Sequence, residues 1–495
     1  MNRVFPVFLI LFLAAACDNR TASQTEEKEE GLQALNADSL AQNIRTLSAD
    51  DFMGRKPFTE GEKKTIDFLQ QKFSQLGLEP GNNGSFLQEV PMVNIETTAD
   101  SVMQVQAPGG TFTLRGLHDY VLWTERTDPQ VTLNQDDVVF AGYGVVAPEY
   151  NWNDYAGVDV KGKIVMVMVN DPGYGVDSAL FKGDTMTYYG RWTYKFEEAA
   201  RQGAKACIII HKTKPASYPF TVVQNNWNGS RLRLNDQRQY CTAVGWVSEE
   251  AAAKLLQAAG QDTTLYAKAN QRGFVAQPLP LKLSTTIRVK TTYNKTYNVI
   301  AKIPGASKPD ECIIYTAHWD HLGIGKPDEK GDSIYNGALD NASGTAGLIE
   351  LARAFKSLEQ APARTIVFLA VTAEEQGLWG SAYYAQNPVF PVSKTVANIN
   401  MDGLNLLGKA KDLIIVGKGQ SDLEDSLENA ADQLERKVTF ETHPEAGYYY
   451  RSDHFNFAKV GIPALYTARG IEIEGKDAGY GKKADEDYRA QHYHR

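Results

Sequence analysis

The chain has 495 residues, more than a single hydrophobic core usually organises, so two or three domains are expected. Its composition, with 43% hydrophobic and 22% charged residues, is that of an ordinary globular protein. The formal net charge of -9 argues against a nucleic-acid partner, because phosphate binding needs clustered Lys and Arg.

The first 17 residues have the pattern of a secretory signal. Arg3 supplies a positive charge, an apolar stretch too short to span a bilayer follows, and three alanines precede Cys17. Alanines followed by a cysteine resemble a bacterial lipobox, although Ala14 stands where Leu is usual. We expect export across the inner membrane and attachment to the cell envelope, periplasmic or outer-membrane, through a lipidated Cys17 only. An ordinary cleaved signal is the alternative, and the polar residues 18–33 are predicted to be a flexible tether.

Two helices are predicted after the tether. Apolar residues at helical spacing over residues 40–47 mark the first. The second begins at a capping-box signature formed by Thr59 and Glu62, and Gly77 ends it.

Residues 101–285 differ in sequence pattern from the predicted helices before them, with short β-like runs separated by turn residues. One helix around residues 196–202 leads into an apolar strand at 206–210. We predict a mostly β domain here, inserted into a second domain whose two parts are residues 34–100 and 286–495.

Strands and helices alternate from residue 286 onward. Strands are predicted at 313–317, 365–371, 395–400 and 413–416, and helices at 343–358 and 423–434. Apolar strands that alternate with helices predict an α/β fold, here a doubly wound mixed sheet with helices on both faces.

Residues that bind metals come directly after the predicted strands. In open α/β sheets, functional side chains collect at the carboxyl ends of strands. The strand-end and loop residues with metal-binding side chains are His318, Asp320, Asp340, Glu374, Glu375 and Asp402. These side chains suit zinc, and their recurrence after successive strands predicts a metal site.

The motifs resemble those of the M28 family of metallopeptidases. They are His-x-Asp at 318–320, Gly-Ala-x-Asp-Asn-Ala-Ser-Gly at 337–344, Glu-Glu at 374–375 and Asn-x-Asp-Gly at 400–403, in that order. The resemblance covers roughly residues 35–100 and 286–495. It implies an α/β peptidase domain that holds two zinc ions per chain, and the inserted β region resembles a protease-associated domain.

The resemblance also implies roles for single residues. His318 and Asp402 would bind one zinc ion, Glu375 and a C-terminal histidine the other, and Asp340 both. Glu374, next to a ligand, would be the general base.

Two further residues are expected to support the reaction. Asp320 points to the same side of an extended chain as His318 and is expected to hold the second ring nitrogen of that histidine, with a loop cap as the alternative. The resemblance implies that Tyr450 donates a hydrogen bond to the oxyanion; an aromatic loop that lines the pocket is the alternative.

The C-terminal ligand is assigned to His494. In the family this histidine belongs to a Tyr-His-x-Pro-x-Asp motif, whose start matches Tyr493, His494 and Arg495. The sequence ends there, so the Pro and Asp of the motif are not in it. His454 and His492 are the alternatives.

The function implied is that of a zinc aminopeptidase, a hydrolase that removes N-terminal residues from peptide substrates. The sequence contains no His-Glu-x-x-His, Gly-x-Ser-x-Gly or phosphate-binding Gly-Lys-Ser/Thr signature. The alternatives on the same fold are a carboxypeptidase and a glutaminyl cyclase. A binding protein that has lost the metal site is disfavoured, because the upstream ligands and Glu374 are present.

Overall fold

The computed structural model describes residues 31–226 and 229–494, which divide into two units of discontinuous sequence. The first unit contains the chain up to Val90, Thr296–Thr439 and the residues from Asp453 onward. The second contains Pro91–Lys295 and Phe440–Ser452. The sequence-based division at residues 100 and 285 did not include 440–452 in the inserted part.

The signal peptide, Cys17 and most of the tether lie outside the described residues. The end of the predicted tether differs from the expectation, since residues 31–34 form a helical turn. In the part of the chain that is described, no helix is both long and apolar enough to cross a bilayer.

A mixed sheet is the centre of the first unit. Its strands, in spatial order, are Glu79–Pro80, the end of Gln277–Ile303, Arg364–Val371, Lys308–His318, Thr395–Asn400, Ala464–Ala468, Asp412–Ile415 and Lys437–Phe440. The four strands from Arg364–Val371 to Ala464–Ala468 are parallel, and their neighbours on either side are antiparallel. The carboxyl ends of the parallel strands therefore meet at one edge of the sheet.

Helices cover both faces of this sheet. They are Ala37–Leu47, Glu60–Gln75, Ser343–Ser357, Trp379–Gln386, Leu423–Gln433, His454–Lys459 and Tyr480–Gln491. Alternate residues of one strand enter different cores: Phe368 packs in the core with Phe73 and Leu348, whereas Leu369 packs in the core with Phe457. This alternation confirms the predicted α/β class with apolar layers on both sides of the sheet.

Most predicted elements of the first unit agree with the structure to within a few residues, but the predicted capping box does not form. The Thr59 side chain makes no capping hydrogen bond to the helix Glu60–Gln75. Glu62 instead accepts hydrogen bonds from the backbone N–H of Phe58 and from the hydroxyl of Thr296, 2.7 Å away. Its carboxylate thus links the helix to the sheet rather than closing the helix start.

The second unit is richer in helices than predicted. Its strands are Leu87–Ala99, Val102–Ala107, Gly110–Arg115, Tyr120–Trp123, Gln130–Phe140, Val146–Ala147, Trp152–Asn153, Ile164–Met168, Ala206–Ile210, Ser230–Leu234, Ala243–Val247 and the start of Gln277–Ile303. Its helices are Trp192–Arg201, Thr213–Ala216, Phe220–Asn226, Glu249–Ala258 and Thr264–Ala269. The strands Ile164–Met168, Ala206–Ile210 and Ala243–Val247 are parallel neighbours.

Candidate metal centre

The candidate site lies where the parallel strands of the first unit end. His318 is the last residue of the strand Lys308–His318, which lies between the strands that precede Glu374 and Asp402. Asp340 comes from the turn before the helix Ser343–Ser357. The shared edge of the sheet therefore brings together residues that are far apart in sequence.

Asn341 ties the turn of Asp340 to the loop of Asp402. Its side-chain amide donates to the carbonyl of Met401 at 2.9 Å, and its side-chain oxygen accepts from the N–H groups of Gly344 at 2.9 Å and Gly403 at 3.2 Å. Because Asn341 is fully buried, these bonds fix the two carboxylate-bearing loops relative to each other.

One group of potential metal ligands contains His318, Asp340 and Asp402. The Nε2 atom of His318 lies 3.2 Å from Oδ1 of Asp340 and 3.3 Å from Oδ1 of Asp402. One donor atom from each residue falls within a 4.8 Å cluster. Burial lowers the pKa of His318, but the carboxylates of Glu374 and Asp402 outweigh burial and raise it well above its usual value.

A second group shares Asp340 with the first. The Nε2 atom of His494 lies 3.4 Å from Oδ2 of Asp340 and 3.2 Å from Oε2 of Glu375. Burial raises the pKa of Asp340, yet the His318 and His494 rings beside it hold that pKa well below its usual value. The two oxygens of Asp340 thus face two different histidines.

His321 is a residue of this second group that the sequence analysis missed. Its Nδ1 atom lies 2.5 Å from Oε1 of Glu375, and it forms a 4.8 Å cluster with Asp340 and Glu375. Both partners of this contact have side chains only 4% exposed. His321 follows the same strand as His318, but a histidine in that loop has no sequence feature that separates a ligand from a structural residue.

Glu374 stands beside both groups without belonging to either cluster of described ligand atoms. Burial raises its pKa well above the usual value, and the carboxylates of Asp402, Glu375 and Asp453 add to this effect while His318 opposes it. A carboxyl group that shares a buried site with several others holds its proton unless cations balance the negative charge.

Asp320 differs from the expectation. The Nδ1 atom of His318 lies 3.1 Å from the backbone oxygen of Asp320, whereas the carboxylate Oδ1 is 3.8 Å from Nδ1. That Oδ1 atom instead accepts a hydrogen bond from the backbone N–H of Glu374 at 3.0 Å. Asp320 therefore holds the histidine through its main chain and the Glu374 loop through its side chain.

The remaining residues predicted from sequence belong to neither cluster of ligand atoms among the described residues. Tyr450 belongs to the second unit, where its ring centroid is 6.0 Å from that of Tyr188; its proposed role stays a prediction. His454 is fully buried and stacks on Tyr466, with ring centroids 4.8 Å apart. His492 is the C-terminal cap of the helix Tyr480–Gln491.

The donor set fits zinc. Nitrogen from histidine and oxygen from carboxylates are the atoms that zinc binds in catalytic sites. The Nε2 atom of His494 is buried and, among the described residues, has no hydrogen bond of suitable geometry, although two carboxylates lie within 3.4 Å. A nitrogen that faces two carboxylates without bonding to either is the arrangement that a cation between them would satisfy.

Comparison with known proteins shows that the chain is similar to peptidases, one of them described as a probable zinc metalloprotease. Residues 298–495 match the model described as peptidase family M28. A probable zinc metalloprotease of Pyricularia oryzae is 31% identical over 180 residues, 36% of this chain and 31% of that protein. A glutamate carboxypeptidase 2 homolog of Caenorhabditis briggsae is 27% identical over 404 residues, 70% of this chain and 48% of that protein. Aminopeptidase YwaD of Bacillus subtilis is 27% identical over 267 residues, 52% of this chain and 44% of that protein.

These relatives are matched over part of their length only. The chain spans between about a third and a half of the first curated relatives, with 31%, 33% and 48% of their lengths covered.

Proposed function

Because residues 298–495 match the model of peptidase family M28, we propose that the chain is a zinc-dependent aminopeptidase that hydrolyses N-terminal residues from peptides. The observation that carries the proposal is the position of Asp340, whose two carboxylate oxygens face His318 and His494 at 3.2 and 3.4 Å. A carboxylate shared in this way can bridge two metal ions about 3.5–4 Å apart.

We assign one zinc ion to His318, Asp340 and Asp402, and the other to Asp340, Glu375 and His494. Zinc bound there would polarise the substrate carbonyl and lower the pKa of a water molecule. Glu374 takes the proton from the attacking water and passes it to the leaving amine. For this it must be ionised, and the positive charge of bound zinc would offset the burial and the neighbouring carboxylates that raise its pKa.

Asp320 and His321 have supporting roles in this proposal. Asp320 orients the backbone at Glu374 through its bond to the N–H group. His321 holds Oε1 of Glu375, which leaves Oε2 on the side of His494. Partners of this kind fix the orientation of metal ligands.

We also propose that the chain is a lipoprotein anchored through Cys17 and that the second unit is a protease-associated domain. The alanines before Cys17 support the anchor. The insertion of Pro91–Lys295 between two parts of the first unit supports the domain assignment.

Aminoacyl chromogenic substrates test the reaction. The full chain loaded with zinc should cleave substrates with a free α-amine and leave the N-acetylated forms of the same substrates intact. The measurement is initial rate on both forms of each substrate, together with zinc content by elemental analysis. The acetylated form is the matched control, because it changes only the group that an aminopeptidase must recognise.

Other outcomes of that experiment separate the alternatives. Two zinc ions per chain without cleavage of free-amine substrates would favour a carboxypeptidase, which the Caenorhabditis relative's name makes the second candidate, or a glutaminyl cyclase. C-terminally blocked and free peptides then distinguish these two. A chain that binds no zinc would contradict the enzyme proposal.

Replacement of His494 tests the second zinc ligand set. His494→Ala should lower the zinc content from about two to about one per chain, because its Nε2 atom is the only nitrogen in that proposed set. His492→Ala is the matched control, since it removes an exposed histidine two residues away and should leave zinc content unchanged. Zinc lost from His454→Ala protein that is still folded by circular dichroism, with none lost from His494→Ala, would reverse the assignment.

A further inference from the structure

Arg55 is a buried cation that hydrogen-bonds to main-chain carbonyl groups. Arg55 is 1% exposed, although it lies in a short helical segment near the start of the first unit. Burying a guanidinium is costly unless its N–H groups are bonded. Arg55 offsets this cost by donating hydrogen bonds to four main-chain carbonyl groups, rather than by pairing with an acid.

These four carbonyls belong to three separate segments. Nε donates to the oxygen of Trp319 at 2.9 Å, and Nη2 to that of Gly337 at 2.8 Å. Nη1 donates to Asn336 at 2.6 Å and to Leu47, at the end of the first helix, at 2.7 Å. A planar guanidinium with several donors in fixed directions is the side chain that can make such a set of bonds.

Two of the segments carry proposed metal ligands. Trp319 lies between His318 and Asp320, so the bond from Arg55 holds the main chain directly after a ligand. Asn336 and Gly337 begin the turn that places Asp340. The backbone oxygen of Arg55 also accepts the N–H of His321 at 3.4 Å.

The backbone around Arg55 places it closely against these segments. Met53, Gly54 and Arg55 have φ values of 50°, 64° and 50°, in the left-handed region. A Cβ atom on Gly54 would lie 2.5 Å from the oxygen of Gly323 and 2.6 Å from that of Tyr335, so only glycine fits. This conformation is costly for Met53 and Arg55, which are not glycine, and such strain is kept where surrounding structure requires it.

The positive charge of Arg55 also interacts with the carboxylates of the candidate metal centre. Burial lowers its pKa to about 10, while the carboxylates of Asp340, Asp320 and Glu375 act in the opposite direction. It therefore stays protonated near neutral pH and remains a fixed positive charge beside an acidic cluster.

We propose that Arg55 is a positioning residue of the metal centre: it ties the His318–Asp320 segment to the turn of Asp340 and so sets the separation of their donor atoms. The inference rests on the zinc site of the proposed function. It also means that residues far before 298, outside the matched family segment, complete the metal centre.

Zinc affinity of the full chain tests the inference. Arg55→Ala should bind zinc about 10–100-fold more weakly than the parent chain, the usual effect of removing a residue that orients metal ligands. Arg55→Lys should be closer to Arg55→Ala than to the parent chain, because an ammonium keeps the charge but cannot reach carbonyls in three segments. The probe is zinc alone, in competition with a chromogenic chelator.

Arg45→Ala is the matched control, because it removes an exposed arginine ten residues away and should leave zinc affinity unchanged. Circular dichroism and thermal unfolding in excess chelator report folding of the metal-free chains. If Arg55→Ala does not fold, Arg55→Lys decides. At saturating zinc, kcat of folded variants should return towards that of the parent chain with KM unchanged, which a general loss of structure would not give.

The two proposals fail in different ways. A parent chain that binds no zinc overturns the proposed function and this inference with it. A parent chain that binds two zinc ions, with a folded Arg55→Lys variant of equal affinity, overturns the inference alone.

Discussion

Replacing Glu374 by Gln is expected to lower kcat by about 10²–10⁴-fold while zinc content stays at that of the parent chain. The amide keeps the size and shape of the carboxylate but cannot take a proton from water. The proposed function assigns Glu374 to neither zinc ligand set, so we expect zinc to bind without its charge. The measurement is kcat on a free-amine substrate, with zinc content determined on the same sample.

Glu375→Gln is the natural comparison, because it makes the same chemical change one residue later. Its side chain contacts His321 and His494, so this variant should lose zinc as well as activity. If Glu374→Gln also lost zinc, Glu374 would be a ligand and the assignment of the general base would be wrong.

Replacing Asp340 by Asn should have the largest effect on metal binding. One oxygen of Asp340 faces His318 and the other faces His494, which belong to the two proposed ligand sets, so the loss of its charge should weaken both sites together. Zinc content should fall from about two per chain to well below one, and activity should fall with it. Elemental analysis after gel filtration measures this directly.

Thermal unfolding gives a second measurement on Asp340→Asn. A ligand that binds only the folded state stabilises it by about 2.7 kcal/mol at a concentration of 100 times Kd. Added zinc should raise the Tm of the parent chain and of Asp402→Asn, which keeps one site, but not that of Asp340→Asn. An unchanged zinc response in Asp340→Asn would contradict a bridging role.

Local patterns were sufficient for four of the eight strands named above for the sheet of the first unit, and for the upstream candidate ligands. Apolar runs with β-branched residues identified the strands, and the topology of parallel strands then places the loops after them at one edge. For this reason His318 and Asp402 could be placed together from sequence, although 84 residues separate them. Where boundaries moved, they moved by a few residues at element ends, where hydrogen bonding frays.

The residues that were missed depend on contacts between distant segments. Arg55 has the sequence surroundings of an exposed cation, and its burial arises only when residues 319 and 337 fold around it. His321 likewise becomes a candidate site residue only through its contact with Glu375. Nothing local in 440–452 indicates that these residues join the second unit. In each case the outcome depends on contacts between segments that are far apart in sequence, which local propensity and residue spacing do not encode.

The bond between Arg55 and the carbonyl of Trp319 joins residues 264 positions apart, with most of the second unit between them. A ribosome that adds about 5–20 residues per second takes tens of seconds to make that stretch. Until the strands that follow residue 296 are made, the helices Ala37–Leu47 and Glu60–Gln75 lack most of the sheet on which they bury their apolar faces, whereas Pro91–Lys295 is complete before those strands. The segment that contains Arg55 is thus made first, but the segments to which it bonds in the proposed metal centre are made only after the insert. The insert can fold early, and the N-terminal segment must be kept from aggregation until its partners emerge.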